Sequence, residues 1–80
     1  KKLDIINIFC KDPGMPPDLN EPIVAMKGAT IRRICDKLHK SFVGRFKFAR
    51  VWGKSAKFDG QKLMLEHKLE DGDIVELHLR

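Results

Sequence analysis

The apolar residues of the amino-terminal quarter form two short runs that are typical of β-strands. LDIINIFC at Leu3–Cys10 is rich in β-branched and aromatic residues and predicts a first strand, and IVAM at Ile23–Met26 predicts a second. All four prolines of the chain lie between these runs, where they exclude a helix or a central strand. The two strands can therefore pair as a hairpin with a long, Pro-rich loop.

Helical spacing follows in the middle of the chain. From Ile31 the apolar residues recur at intervals of three and four, which places them on one face of an amphipathic helix. These residues are Ile31, Ile34, Cys35, Leu38 and Phe42. Thr30 stands where an N-cap residue is expected, and Gly44 is expected to end the helix.

Strand-like composition returns in the carboxy-terminal half. FKFARVW at Phe46–Trp52 and IVELHL at Ile74–Leu79 predict two strands, and LML at Leu63–Leu65 predicts a shorter one between them. Both alternating sets of residues in Phe46–Trp52 include apolar side chains, so the sequence allows either Phe48 or Val51 to face the helix.

The order β-β-α-β-β-β predicts an α+β domain, a mixed sheet of four or five strands with one main helix packed on one face. This is the β-grasp, or ubiquitin-like, arrangement, in which the last strand lies in the middle of the sheet and parallel to the first. With 80 residues the chain is expected to form a single domain, residues 1–80, with little room for a deep catalytic pocket. No apolar run approaches the ~20 residues of a membrane span, so no membrane association is expected.

The two cysteines and three histidines lack the spacing of a metal site. Cys10 and Cys35 occupy apolar positions, and neither belongs to a C-x-x-C pair. We expect two buried free thiols, which fits a reducing, cytoplasmic compartment, and neither a cofactor nor a metal in this domain.

Positive charge is concentrated in the middle of the chain. Residues 27–57 contain ten Lys or Arg and one acid, a net charge of +9, whereas the whole chain carries +5. On a helical projection Arg33, Lys37 and Lys40 lie opposite the apolar face. The following residues add Arg45, Lys47, Arg50 and Lys54. Clustered cations are typical of phosphate contacts, so these seven residues are the predicted nucleic-acid-binding site; the alternative is a basic face that contacts only solvent.

Trp52, the only tryptophan, lies in the same aromatic and basic stretch. It is either half-buried at the end of its strand or exposed as a base-stacking platform or protein anchor, and it is the candidate partner-binding residue.

Five acids near the carboxy terminus are expected to form a solvated negative surface or a contact surface for a basic partner. They are Glu66, Glu70, Asp71, Asp73 and Glu76.

Gly53-Lys54-Ser55 is spelled like the end of a phosphate-binding loop. Such a loop requires a glycine five positions before its Gly-Lys-Ser glycine, and that position is Phe48. A turn signal, Asp59-Gly60, also stands where the helix of that motif should run. The spelling is therefore expected to be accidental.

Several phrases of the sequence resemble the TGS domain of the developmentally regulated GTP-binding protein family. They are FKFARVWGKSAK at 46–57, Gly60-Gln61, His67, LEDGDIVELHL at 69–79, the Pro-rich loop and CDKLHKSF at 35–42, nearly the whole chain. The resemblance implies a β-grasp module without catalytic chemistry, taken from a larger, cytoplasmic, translation-associated GTPase. GTP and magnesium are then expected in a separate G domain. The absence of an initial Met agrees with a carboxy-terminal fragment of such a protein.

The resemblance implies RNA or ribosome docking, for which the seven cations are the candidates. The alternative is a protein-interaction module, whose sheet face and Trp52 contact the parent G domain or a regulatory partner protein. An enzymatic role of this chain is poorly supported, and the isolated domain is expected to be monomeric.

Overall fold

Five strands in one mixed sheet and two short helices make up the part of the chain that the computed structural model describes, residues 4–17 and 19–80. In chain order the elements are β1 (Ile5–Lys11), β2 (Ile23–Met26), α1 (Ile31–Leu38), α2 (Phe42–Arg45), β3 (Phe46–Trp52), β4 (Gln61–Leu63) and β5 (Ile74–Leu79). The strands lie in the order β2-β1-β5-β3-β4.

The last strand occupies the centre of the sheet, as predicted. β5 pairs parallel with β1, with Phe9 opposite Ile74, and antiparallel with β3, with Val51 opposite Val75. β1 and β2 form the expected antiparallel hairpin, and β4 pairs antiparallel with β3 at the far edge. The domain is a β-grasp fold.

One face of the sheet and α1 enclose the core. Ile8, Val51 and Val75 project from three neighbouring strands and are fully buried, together with Ile31 and Ile34 of α1. Burying a side chain of this size stabilises the fold by about 1.5–3 kcal/mol. The position of Val51 in this core settles the orientation of β3, because the alternate set with Phe48 then lies on the open face of the sheet.

A bulge at the start of β3 interrupts the alternation of side chains between the two faces of the sheet. The register shifts between Phe46 and Phe48, so that Phe46 pairs with Leu79 and is buried in the core rather than sharing the face of Phe48. Lys47, between them, is exposed. One extra residue in a strand has this effect because it reverses the sense of the alternation.

The helix is shorter than predicted. Its periodic face stops at Leu38, which is 41% exposed, and the backbone at His39 is extended. There the Ser41 N–H donates to His39 Nδ1 at 3.1 Å, a local bond that competes with the helical ladder. The prediction that Gly44 ends the helix is also wrong, since Gly44 lies inside α2.

α1 starts at the predicted residue, but its first N–H groups have different hydrogen-bond partners from those predicted. Thr30 has the extended backbone of an N-cap, yet its side chain makes no capping hydrogen bond. Backbone carbonyls satisfy the first amides instead, since Ile31 N–H donates to the His67 carbonyl at 3.1 Å and Arg32 N–H to that of Leu65 at 3.0 Å. The segment 65–67 is thus drawn away from the sheet.

Two strand boundaries differ from the predictions. β4 spans Gln61–Leu63 rather than Leu63–Leu65, because the chain after Leu63 turns to meet the start of α1. β1 spans Ile5–Lys11 rather than Leu3–Cys10, so it begins two residues later and ends one residue later than predicted. Leu3 lies outside the described residues. No helix within the described ranges is long and apolar enough to cross a membrane.

Candidate nucleic-acid interface

Four cations gather at the end of the sheet where β3 begins and β5 ends. α2 leads directly into β3, which places Arg45 and Lys47 there, and Lys40 lies in the turn just before α2. Arg80 joins them because its N–H donates to the Arg45 carbonyl at 2.8 Å, while the Arg45 guanidinium donates to the Arg80 carbonyl at 3.0 and 3.2 Å. We call Lys40, Arg45, Lys47 and Arg80 the basic end.

The side chains of the basic end are exposed and carry their charge without acidic partners. In the part of the chain that the structure describes, Glu76 pairs with Lys11 and His78, and Glu66 pairs with Arg32, and none of these pairs includes a residue of the basic end. The predicted acidic residues Glu70 and Asp71 lie in the turn that leads into β5, at the opposite end of that strand. These two acids are therefore separated from the basic end by the length of β5.

The other predicted cations do not share one surface with the basic end. Arg33 and Lys37 are exposed on α1, and only Lys37 lies in its last turn, toward α2. Arg50 projects from the opposite, open face of the sheet, where it lies across from Glu76 of β5. Lys54 follows the far end of β3, about 20 Å from its start at the usual rise of ~3.3 Å per strand residue.

The open face of the sheet is organised around a buried carboxylate. Glu76, on the central strand, is 6% exposed, and its two oxygens accept hydrogen bonds from Lys11 Nζ and His78 Nε2, both at 2.6 Å. Burial alone would raise the pKa of Glu76, but the hydrogen bonds and charges of Lys11 and His78 outweigh it and hold the pKa below its ordinary value. The expectation of a solvated acid is wrong for this residue.

The aromatic rings of the open face are covered by their neighbours. Phe48 stacks on His78 with ring centroids 4.3 Å apart, and Lys62 Nζ lies 4.7 Å from the Phe48 centroid. Trp52 is half-buried, with Lys11 Nζ 5.3 Å from its ring centroid and Gly60 packed against it. A base or partner side chain would have to displace these groups to stack on either ring.

A second buried carboxylate explains the Gly53-Lys54-Ser55 sequence. Asp73 is fully buried and accepts hydrogen bonds from the Ser55 hydroxyl at 2.5 Å and from the Glu70 N–H at 2.8 Å. The Ser55 N–H also points to Asp73, at 3.4 Å. Gly53 has φ +142°, and a Cβ there would overlap the Asp73 carboxylate. The loop is therefore shaped to fit Asp73, which is another acid wrongly expected at the surface.

His67 completes this cluster without forming a hydrolytic triad. Its Nε2 lies 3.0 Å from Ser55 Oγ. Because the Ser55 hydroxyl donates to Asp73, His67 must donate to Ser55 rather than accept its proton, the reverse of what a general base requires. No sequence pattern indicates this cluster, since its three residues come from separate parts of the chain.

The thiols and metal-binding groups show no further site. Cys35 is buried and Cys10 half-buried, and both are free. Burial raises the pKa of Cys10 to about 11 and also raises that of Cys35, so neither thiol is activated. Among residues 4–17 and 19–80, no cluster of three His, Cys, Asp or Glu side chains could hold a metal ion.

The fold and its exposed cations define a β-grasp domain with a basic end, and comparison with known proteins gives the family. Residues 6–79 match the TGS domain, and the chain belongs to this family. An uncharacterized GTP-binding protein of Methanocaldococcus jannaschii is 50% identical over the whole chain. Developmentally-regulated GTP-binding protein 2 of Homo sapiens is 36% identical over 88% of the chain, and its Dictyostelium discoideum homolog 40% over 94%.

These relatives confirm the resemblance on which the family expectation was based. The chain corresponds to 19–21% of their lengths, so it spans about a fifth of the GTP-binding proteins that it matches.

Proposed function

We propose that this TGS domain is a non-catalytic docking module of a cytoplasmic, translation-associated GTP-binding protein, and that it binds RNA, including ribosomal RNA, through the basic end. The observation that carries the proposal is the gathering of Lys40, Arg45, Lys47 and Arg80 at one end of the sheet without acidic partners. GTP and magnesium belong, in this proposal, to the part of the protein that the relatives possess beyond this domain.

Phosphate recognition is the chemistry that these side chains favour. Exposed Lys and Arg attract a polyanion, and each phosphate contact releases a counterion, so the affinity falls with salt. Arg80 also offers a planar fork that can donate two hydrogen bonds to one phosphate, whereas Arg45 Nε and Nη2 already donate to the Arg80 carbonyl. The acidic turn at the other end of β5 would repel RNA, which favours approach from the basic end.

The contacts of Ser55 support a docking role over nucleotide binding by this chain. A phosphate-binding loop offers its free N–H groups to a phosphate. In this domain the Ser55 N–H and hydroxyl already donate hydrogen bonds to the Asp73 carboxylate, so they are not available to a phosphate.

The test is a salt titration of binding to purified ribosomes and to a structured RNA. Four phosphate contacts predict a loss of affinity of roughly 50- to 150-fold between about 50 and 200 mM salt. The double variant Lys40→Glu with Lys47→Glu should bind much more weakly and show a flatter salt dependence. The matched control, Lys57→Glu with Lys68→Glu, makes the same charge change at exposed residues outside the basic end and should retain most of the affinity.

Two results would overturn the proposal. Equal losses in both double variants would indicate a general charge effect without a site. Salt-independent binding that is abolished by Trp52→Ala would instead support the alternative, in which the sheet face docks the G domain or a regulatory protein.

A further inference from the structure

β2 forms one edge of the sheet, and its outer backbone groups can be assigned from the register. Lys27 N–H donates to the Asp4 carbonyl at 2.8 Å, and Met26 lies opposite Ile5 in the next pair. Because hydrogen-bonded and non-hydrogen-bonded pairs alternate in an antiparallel ladder, the backbone groups of Val24 and Met26 point away from β1. The Met26 carbonyl accepts from Ala29 N–H at 3.0 Å, which agrees with this direction.

An open groove runs along this edge toward α1. Its volume is about 680 Å³. On its open-sheet side are three apolar side chains, Ile5, Val24 and Met26, which are 46%, 49% and 65% exposed. A strand edge with adjacent exposed apolar side chains is a surface onto which an extended chain can add.

The groove carries more positive than negative charge, which favours some kinds of binding partner over others. Lys27, Arg33 and Lys37 line it together with one acid, Asp36. A second copy of the domain is disfavoured, because pairing of two β2 edges would bring the cations of both copies together. Nucleic acid lacks the regularly spaced amide groups that would pair with Val24 and Met26.

We infer that the β2 edge binds an extended acidic segment of a partner protein, which adds to the sheet as a sixth strand. Side chains of the added strand alternate between the two sheet faces. Those on the open face lie beside Val24 and Met26 and are apolar, while those on the other face approach Arg33 and Lys37 and are acidic. The partner segment therefore alternates apolar and acidic residues. This site is separate from the basic end, so it does not depend on RNA binding.

The probe is a short synthetic peptide of alternating valine and glutamate, titrated at neutral pH into the isotope-labelled domain. We expect saturable binding with amide shift changes centred on Val24 and Met26. The corresponding valine–lysine peptide should bind at least about tenfold more weakly, and so should a valine–glutamate peptide that is N-methylated on one edge.

Variants of the domain test the two contributions separately. Val24→Pro removes an outward N–H without breaking the β1 ladder, and should weaken binding at least about tenfold, whereas Val24→Thr keeps the N–H and should bind nearly normally. Arg33→Glu with Lys37→Glu should weaken binding to a similar extent. Lys57→Glu with Lys62→Glu makes the same charge change at exposed residues on and beside β4, the opposite edge of the sheet, and should leave it unchanged.

The inference is overturned if the valine–glutamate peptide shows no saturable binding at about 1 mM, if the valine–lysine peptide binds equally well, or if the shift changes lie elsewhere. Should Val24→Pro unfold the domain, the N-methylated peptide decides the backbone contribution on the wild-type protein.

Discussion

At the residue scale, one buried carboxylate explains several local features of the sequence. Asp73 accepts hydrogen bonds from the Glu70 N–H in its own turn and from Ser55 in the loop after β3. Its backbone carbonyl also accepts from Phe9 N–H at 2.9 Å. A buried carboxylate is tolerated because its oxygens are hydrogen-bonded, and here those bonds join its own turn to the loop after β3, while its backbone carbonyl joins that turn to β1.

Gly53 is predicted to be intolerant of a side chain. Gly53→Ala should destabilise the domain by roughly 2–4 kcal/mol, because the residue has a positive φ and the new methyl group would overlap Asp73. Thermal or urea unfolding measures this. The control is Gly44→Ala, inside α2, where φ is not positive and no atom lies within 4 Å of the added Cβ. That variant should be as stable as the wild type or slightly more stable.

At the scale of elements, a row of charged side chains crosses the three central strands. Lys11 of β1 and Arg50 of β3 lie opposite Glu76 of β5, and His78 follows on the same face of that strand. Lys11 and His78 donate to Glu76, the most buried of the four, whereas the Arg50 guanidinium donates to the Gly60 carbonyl at 3.1 Å. Removing one partner of such a network leaves another charge partly desolvated and unpaired.

Glu76→Gln is predicted to destabilise the domain by about 1.5–3 kcal/mol at neutral pH. Since the folded-state pKa of Glu76 lies below its unfolded value, its ionised form contributes stability above the unfolded pKa. This contribution is lost as the pH falls through the folded pKa, so the difference from the wild type should shrink in acid. Urea unfolding between neutral pH and about pH 3 measures it.

Glu66→Gln is the control for this prediction. Its partner is Arg32 at 2.9 Å, and both side chains are largely exposed. An exposed pair contributes little, so a change well below 1 kcal/mol is expected. A pH-independent effect of Glu76→Gln would show that packing rather than charge is responsible.

Apolar periodicity was sufficient to predict most elements, but long-range pairing decided the rest. The strands β2, β3 and β5 and the start of α1 follow from their own residues. The end of α1 depends on the hydrogen bond between Ser41 N–H and His39 Nδ1. The position of β4 depends on the Leu65 and His67 carbonyls, which accept hydrogen bonds from the first N–H groups of α1. Hydrophobic spacing carries neither signal.

The positions of the charged residues were predictable to a similar extent. Lys40, Arg45 and Lys47 were found from charge, whereas Arg80 joins them only through the antiparallel pairing of β3 and β5. The burial of Asp73 and Glu76 likewise results from partners far away in the sequence, so an acid-rich stretch could not be distinguished from a solvated surface.

At the scale of the whole molecule, the fold depends on one strand at the end of the chain. β5 pairs with both β1 and β3, and without it the sheet separates into two pairs of strands. A two-stranded hairpin is marginally stable at best in water. The core is shared in the same way, because Val75 of β5 lies opposite Cys10 of β1 and Val51 of β3 and belongs to the same buried cluster as Ile8.

A chain truncated after Asp73 is therefore predicted not to fold. Amide dispersion in an NMR spectrum and far-ultraviolet circular dichroism measure this directly. The chain shortened by Arg80 alone retains β5 and should remain folded, with a small loss from the bonds between Arg80 and Arg45. A truncated chain with native dispersion would show that the two pairs of strands are stable without β5.

The central position of β5 also has a consequence for synthesis. A ribosome that adds about 5–20 residues per second takes several seconds to make this domain. Between the synthesis of β1 and that of β5, the nascent chain exposes the edge of β1 and the apolar side chains that β5 will cover. Unpaired edges of this kind are prone to intermolecular pairing, so the domain is most vulnerable to aggregation just before its final strand emerges.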